Sequence, residues 1–526
     1  MKMKNPFKIN FQYRLVAVLM AMIAVSCTNL EIEGTDSIIE ETLGGPFEGV
    51  PSVDGAVTDL YNSIYGQLGD QANFFALNEV TTDETLVPTR GTDWGDNGIW
   101  RTLHAHTWSP THQYILNTWN NLNQNVFRAT EVIDPASTAL GPDATLTLAE
   151  YKAEASFLRA FSMYFVLDFW GQAPFRNPSD GADVDPIVYS AQEAYDLIMS
   201  DLDTAIAGLP TFGPSTGTNR ASVAAAQFLK AKVMLNSERY TGSAPNYQAV
   251  IDAVDAIAAD GYALQGGYFD IFKEDVDNET IWFANTSVGN RIWNGMHYNI
   301  IAPDNTGGGW NGFTTLAEFY DKFEGNPNSN YVGDGQEERR GWVPDAGNAG
   351  PDNLGIGYGF LIGQQYDVNG NPLNDRGGNP LTFTRELPGL SGNTEETGIR
   401  LIKYHPVNGS FTNHEIVFRY ADAHLMKAEA MLRGGIGDAT AMVNDLRTLR
   451  GATPLGSVTE ANLIDERGRE LWYEFWRRND MLRFNTYTSD WEFKDPAAIG
   501  DVNRRLFPIP VNALISNPNL VQNPGY

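Results

Sequence analysis

Between residues 285 and 413 the chain is rich in Gly, Asn and Pro and carries little helical periodicity, although the segments on either side carry a great deal. A structureless loop of that length is foreign to a compact fold. The stretch is therefore expected to be an irregular lobe of loops, short helices and short strands, inserted into a body built from something else. Three- and four-residue apolar spacing marks that body as helical. It is clearest over 148–169, where Leu158, Phe161 and Phe165 share one stripe with Ala155 beside it, and Gly171 and Pro174 end the run. The same pattern predicts helices over 53–68, 117–133, 191–207, 221–236 and 247–259 before the lobe, and over 420–433, 439–450 and 461–475 after it. The fold class expected is mainly α. Paired helices with small residues at their crossings suggest a tetratricopeptide-like scaffold, although no clean 34-residue period is visible.

The N-terminus addresses the compartment. Lys2, Lys4, Lys8 and Arg14 precede an apolar run from Leu15 to Val25. That run is too short to cross a bilayer, which takes about 20 helical residues, and fits a secretory signal. It leads through Ala24, Val25 and Ser26 into Cys27, the single cysteine of the chain. A lone cysteine in an exported protein cannot form an internal disulfide. Its position after small residues points to lipidation and anchoring to a membrane, although Ala24 stands where lipoproteins usually carry Leu, Val or Ile. The chain then divides into a signal peptide at 1–26, a lipidated tether at 27–51, a first helical block at 52–284, the lobe at 285–413, and a second helical block with its tail at 414–526. Removing the four positive charges of the leader takes the net charge from −29 to −33. Such an acidic body repels phosphate backbones, so nucleic acid is not an expected partner.

Two polar loops carry the binding candidates. In 90–98, Arg90, Asp93 and Asn97 surround Trp94 with no apolar neighbour; in 306–312, four glycines and Asn311 flank Trp310. An exposed indole offers a flat apolar face to the C–H side of a sugar ring, and Arg90, Asp93, Asn97 and Asn311 suit its hydroxyl edge. Each stacked ring contributes about 1.5–3 kcal/mol, so two rings and a few hydrogen bonds give a Kd of about 1 mM to 10 μM. The competing reading makes each tryptophan a plug under its own loop. Trp293 and Tyr298 are placed either to extend the platform or to pack in the core. Trp282, Trp472 and Trp476 are expected in the core. Asp367, Asn369, Asn371 and Asp375 resemble a calcium loop, but Pro372 stands where an EF-hand needs Gly, and a turn is expected instead. His104 and His106 have no second pair or cysteine beside them, which gives a metal little support, and no cofactor is expected.

Several motifs together resemble the SusD/RagB family of outer-membrane lipoproteins. They are 153–161 continuing to Asp168-Phe169-Trp170-Gly171, Arg419-Tyr420-Ala421-Asp422 with Lys427-Ala428-Glu429-Ala430, Asn444-Asp445-Leu446-Arg447, 465–471, and the ending Phe507-Pro508-Ile509-Pro510 through Asn523-Pro524-Gly525-Tyr526. They span nearly the whole mature chain in the family's order. The resemblance implies a scaffold of four tetratricopeptide-like helix pairs, surface exposure on the outer membrane, and capture of a glycan without chemical change. It also implies delivery to a SusC-type TonB-dependent barrel. Aromatics in the two loops are what glycan-binding members use, and the acidic charge suggests a neutral glycan. Most of the motif charges, namely Arg159, Arg419, Asp422, Glu429, Arg467 and Glu470, read as structural pairs. Two alternatives stay open: a peptide-capturing lipoprotein, and an extracellular glycoside hydrolase using carboxylates such as Glu337 and Glu338, for which no hydrolase signature is present.

Overall fold

The computed structural model describes residues 46–526 apart from 182, 215, 217, 218, 274, 276, 302–306 and 407–413. The signal segment, Cys27 and the tether up to residue 45 lie outside the described residues, as does Thr306 of the second loop.

The chain begins with α1 (Val53–Gly69), α2 (Asn73–Glu79), α3 (Ile99–His104) and α4 (Gln113–Ile133). The spine is α5 (Leu148–Trp170). Thr147 and Glu150 close a reciprocal capping box at its start, and Gly171 ends it at a φ of 69°. Nearly its whole circumference is buried, as expected of a helix with no polar face. After a short antiparallel hairpin of β1 (Ala173–Phe175) and β2 (Ile187–Tyr189) come α6 (Ala191–Gly208), α7 (Val223–Leu235) and α8 (Tyr247–Ala259). In sequence order, α1, α4, α5, α6, α7 and α8 each pack on the next.

The chain leaves this stack through β3 (Thr280–Ala284). The lobe contains α9 (Gly289–Gly295), β4 (Gly341–Trp342), β5 (Tyr358–Leu361), β6 (Gly363–Gln364), β7 (Thr382–Phe383) and β8 (Arg400–Ile402). An antiparallel sheet runs β4–β5–β8, and β6 pairs with β7. The chain returns through β9 (Glu415–Arg419), antiparallel to β3, so one two-stranded ladder joins the departing and returning strands. It continues into α10 (Tyr420–Arg433), α11 (Ala439–Leu449), α12 (Glu460–Leu471) and α13 (Arg477–Arg483). Because α10 packs directly on α8, the helical stack resumes where it stopped. Residues 47–526 form one compact unit around a large apolar core, with a smaller apolar cluster where α10, α11 and α12 meet. No described helix is long and apolar enough to cross a membrane.

One helix departs from expectation. Apolar spacing carries it over 461–475, but α12 stops at Leu471, and Tyr473 and Phe475 stand at φ of 66° and 73°. Trp472 and Trp476 are still buried, as is Trp282, but the first pair brackets a tight turn and not a helical turn. The cause is tertiary. The Tyr473 N–H donates to Glu84 Oε1 (2.5 Å), and Glu84 is fully buried beside Glu79. Burial raises both carboxyls above the usual range, and the negative charge of Glu79 adds to the effect on Glu84. In the unfolded chain these groups ionise near pH 4.3. The folded state holds more protons above that pH, so the pair's contribution to stability declines as pH rises from about 4.3 through neutrality, by about 1.4 kcal/mol per pH unit for each proton retained. Glu79→Gln keeps the shape and removes one titration. Its unfolding midpoint should fall less steeply between pH 5 and 7 than that of the wild type; parallel profiles would refute the assignment.

The motif charges are all paired. Arg159 bonds Asp201, Asp422 holds Lys232 and Arg467, and Glu429 holds Arg433 and Arg483. Glu470 accepts from Arg339, Arg419 and Arg450, all of them buried. Glu337, one of the carboxylates weighed for hydrolysis, is buried against Arg339 in the same network.

Candidate functional site

The two tryptophan loops meet. The indole N–H of Trp94 donates to the Trp310 carbonyl at 2.8 Å, across 216 residues of sequence. Each loop is held by a specific backbone device.

In the first loop, Arg90 and Asp93 exchange both backbone hydrogen bonds (3.0 and 2.8 Å), closing a tight turn. Beyond it, Trp94, Asp96 and Asn97 all take left-handed φ values of 58°, 37° and 51°. Such residues cost about 1–3 kcal/mol each and persist where surrounding contacts over-determine them, as at binding sites. Here the Thr89 hydroxyl donates to the Trp94 carbonyl, and the Trp94 ring packs edge-on against buried Trp100 at 6.2 Å.

The second loop covers the end of α9. The N–H groups of Gly309, Trp310, Asn311 and Gly312 donate to the carbonyls of His297, Trp293, Met296 and Asn294. Two of these acceptors, the Trp293 and Asn294 carbonyls, lie in the last turn of α9, where a helix leaves its carbonyls open. The glycines permit it: a Cβ on Gly308 would overlap the Tyr298 carbonyl, and one on Gly309 the Met296 carbonyl. Trp310 is thereby fixed by its backbone while its side chain stays 36% exposed.

Around the two indoles sits a polar cluster. Tyr298 donates its hydroxyl to Asp93 Oδ2 (2.9 Å). Arg376 bridges Asp93 and Glu395 (2.5 Å to each), and its guanidinium lies 3.9 Å from the Tyr298 ring centre. His297 Nε2 meets Glu395 Oε2 at 2.9 Å. Partial burial opposes ionisation of Asp93 and Glu395, but Arg376 outweighs it and holds both below the usual carboxylate range. The patch therefore offers aromatic faces beside fixed donors and acceptors.

The sequence-based candidates separate into two groups. Asp93, Trp94, Tyr298 and Trp310 come together, Asn97 is exposed on the same loop, and half-buried Trp293 adjoins through the Trp310 N–H. Two expectations are corrected. Arg90 is 2% exposed and directs its guanidinium to the Thr394 and Thr397 carbonyls. Asn311 is fully buried, donating to the Glu395 carbonyl and accepting from Arg400. Both pin loop to loop and are buried from solvent.

Arg376, Glu395 and His297 were missed. The calcium-like stretch explains Arg376. Asp-x-x-Gly-Asn-Pro occurs twice, at 367–372 and 375–380, and each Asp side chain accepts from the backbone and side-chain N–H of the Asn four residues on. These are turns, as expected, and the second carries Arg376 to Asp93. Among the described residues no group of three or more His, Cys, Asp or Glu could hold a metal ion. His104 and His106 are buried against the Glu492 and Thr81 carbonyls.

Comparisons with known proteins agree with one another. The family model described as SusD family matches residues 386–526, and the one described as starch-binding associating with outer membrane matches 50–235. The starch-binding protein SusD of Bacteroides thetaiotaomicron is 28% identical, with 98% of each chain covered. SusD-like protein P25 of Formosa agariphila is 25% identical over 97% of this chain and 99% of its own. Among solved structures, a SusD-like protein from Bacteroides fragilis superposes with a TM-score of 0.67 at 20% identity, covering 90% of this chain and 96% of its own. Surface glycan-binding protein A from Bacteroides thetaiotaomicron, in complex with laminarihexaose, gives 0.64 at 21% identity over 90% and 98%.

Proposed function

This chain belongs to the SusD family, and on that premise we propose that it captures a glycan without chemically altering it, at the patch formed by Trp94 and Trp310. The observation that carries the reading is the 2.8 Å bond from the Trp94 indole to the Trp310 carbonyl, which joins the two loops that carry solvent-reaching indoles. The starch-binding relative and the outer-membrane description of the matched model support glycan capture at the cell surface. Arg376, the cation nearest Asp93 and Tyr298, is already neutralised by two carboxylates, which favours a neutral glycan over an anionic one at the patch. The finer parts of the reading are attachment through lipidated Cys27 and hand-over to a SusC-like TonB-dependent transporter.

One preparation tests the core of this reading and one fractionation tests the anchor. Affinity electrophoresis across neutral and acidic polysaccharides, with the bathing solution analysed for released sugars, should show retardation by a neutral glycan and no hydrolysis products. Products, or retardation by acidic polymers alone, would refute it. Cys27→Ala should move the protein from washed outer membranes to the soluble fraction; retention would refute lipidation.

A further inference from the structure

Twelve tryptophans occur in the chain. Eight are buried, and the four that reach solvent are Trp94, Trp293, Trp310 and Trp342. The first three belong to the site above. Trp342 belongs to none of it. It stands on β4 opposite Tyr358 of β5, and the two rings lie side by side with centres 5.7 Å apart. Gly341, at a φ of 71°, lets the strands approach this closely, since a Cβ there would overlap the Tyr358 carbonyl. Tyr358 is held from behind by stacking on His405 at 4.1 Å, and Phe269 packs 5.6 Å from it. These three half-buried rings line a cleft of about 410 Å3, together with Asp270, Gln336, Glu338 and Lys273, which pairs with Asp270. Small-molecule pockets fall in the range of about 300–1,000 Å3, with apolar walls and a few polar groups. No lining residue is shared with the Trp94–Trp310 patch.

We propose that this cleft is a second ligand site, taking a short neutral saccharide whose ring face lies on Trp342 and whose hydroxyls donate to the Asp270 and Glu338 carboxylates. The chemical class rests on the reading of the first site as a glycan platform; the location rests on the cleft alone. Carboxylates accept from hydroxyls, and with Lys273 already paired to Asp270 the lining stays net acidic, which disfavours acidic sugars and phosphates. Two separate sites on one chain let it grip a long polymer at two points, raising avidity without further contacts.

The test is calorimetric titration of maltohexaose and laminarihexaose into the full chain. Trp94→Ala/Trp310→Ala is expected to retain one binding event, and adding Trp342→Ala to weaken that event tenfold or more. Trp342→Phe, with an unfolding midpoint measured for every variant, separates loss of stacking from loss of fold: it should keep most of the residual affinity. A 5-fluorotryptophan resonance assigned to Trp342 should also shift on saccharide addition in the otherwise intact protein. If the wild type binds and the Trp94→Ala/Trp310→Ala protein does not, the cleft proposal is overturned and the first site stands. Residual binding that survives Trp342→Ala, with a Trp342 resonance that does not move, also overturns it. No binding by the wild type to either saccharide overturns the cleft proposal, while the first site is judged separately by the electrophoresis across other neutral polysaccharides.

Discussion

Glu470→Ala is expected to destabilise the protein by about 3–5 kcal/mol, the cost of breaking a buried ion pair and leaving its partner uncompensated. Arg339, Arg419 and Arg450 all bond this one carboxylate, with N–O distances of 3.2, 2.8 and 2.8 Å, and none of the four side chains is more than 1% exposed. Burial opposes ionisation of Glu470, but the three guanidiniums outweigh it and hold the carboxyl far below the usual range. The network's contribution is therefore complete above about pH 4.3 and declines as pH falls below that value. The position also joins separate parts of the fold. Arg339 lies in the lobe, Arg419 ends β9, and Arg450 follows α11. Glu470→Gln keeps an acceptor oxygen but not the charge and should fall between the wild type and Ala. Denaturant unfolding at pH 7 checks this; a midpoint within error of the wild type would mean the three arginines are satisfied by Glu279, Glu337, Glu466 and Glu474 alone.

Trp94→Ala is expected to weaken glycan binding ten- to a hundredfold, the equivalent of the about 1.5–3 kcal/mol of a stacked ring. Sequence reasoning set a platform against a plug. The structure gives Trp94 features of both: it is half-buried, packed edge-on against Trp100, and bonded to the loop that carries Trp310. Stability should therefore fall as well, by roughly half of the about 3–5 kcal/mol that a fully buried tryptophan costs. Trp94→Phe separates the effects. It keeps a ring against Trp100 and loses the N–H bond, worth about 1 kcal/mol, so its affinity should stay closer to the wild type. Because the two loops touch, Trp94→Ala and Trp310→Ala should not add in a double-mutant cycle. Full affinity in Trp94→Ala would remove the ring from the site.

The helical stack was legible because local signals suffice for it. Apolar spacing, the Thr147–Glu150 box and Gly171 all act within a few residues, and the motif charges had to be paired once their helices were placed among apolar faces. The site was only half legible. Trp94 and Trp310 stand out as large rings in polar loops, and that contrast survives without a structure. Arg90 and Asn311 occupy the same loops and have the same polarity as useful ligand groups, but backbone direction decides where a side chain points. In both cases it points inward to carbonyls of the 394–398 neighbourhood. Arg376 reaches Asp93 across 283 residues, a contact with no local trace beyond the repeated Asp-x-x-Gly-Asn-Pro turn that presents it. The turn at 472–476 fails for the same reason. Helical spacing runs straight through it, and two buried glutamates near residue 80 break it from outside.

Trp310→Ala tests the account most directly. The backbone of Trp310 does the structural work, its N–H bonding the Trp293 carbonyl and its carbonyl accepting from Trp94, and both bonds survive removal of the side chain. On the proposed reading, the exposed ring is left with binding as its role. Titrating wild type and Trp310→Ala with the neutral glycan that the wild type retains, and unfolding the same preparations, should give at least tenfold weaker affinity with stability unchanged to within about 0.5 kcal/mol. Equal affinities would contradict the account and place the glycan elsewhere on the molecule.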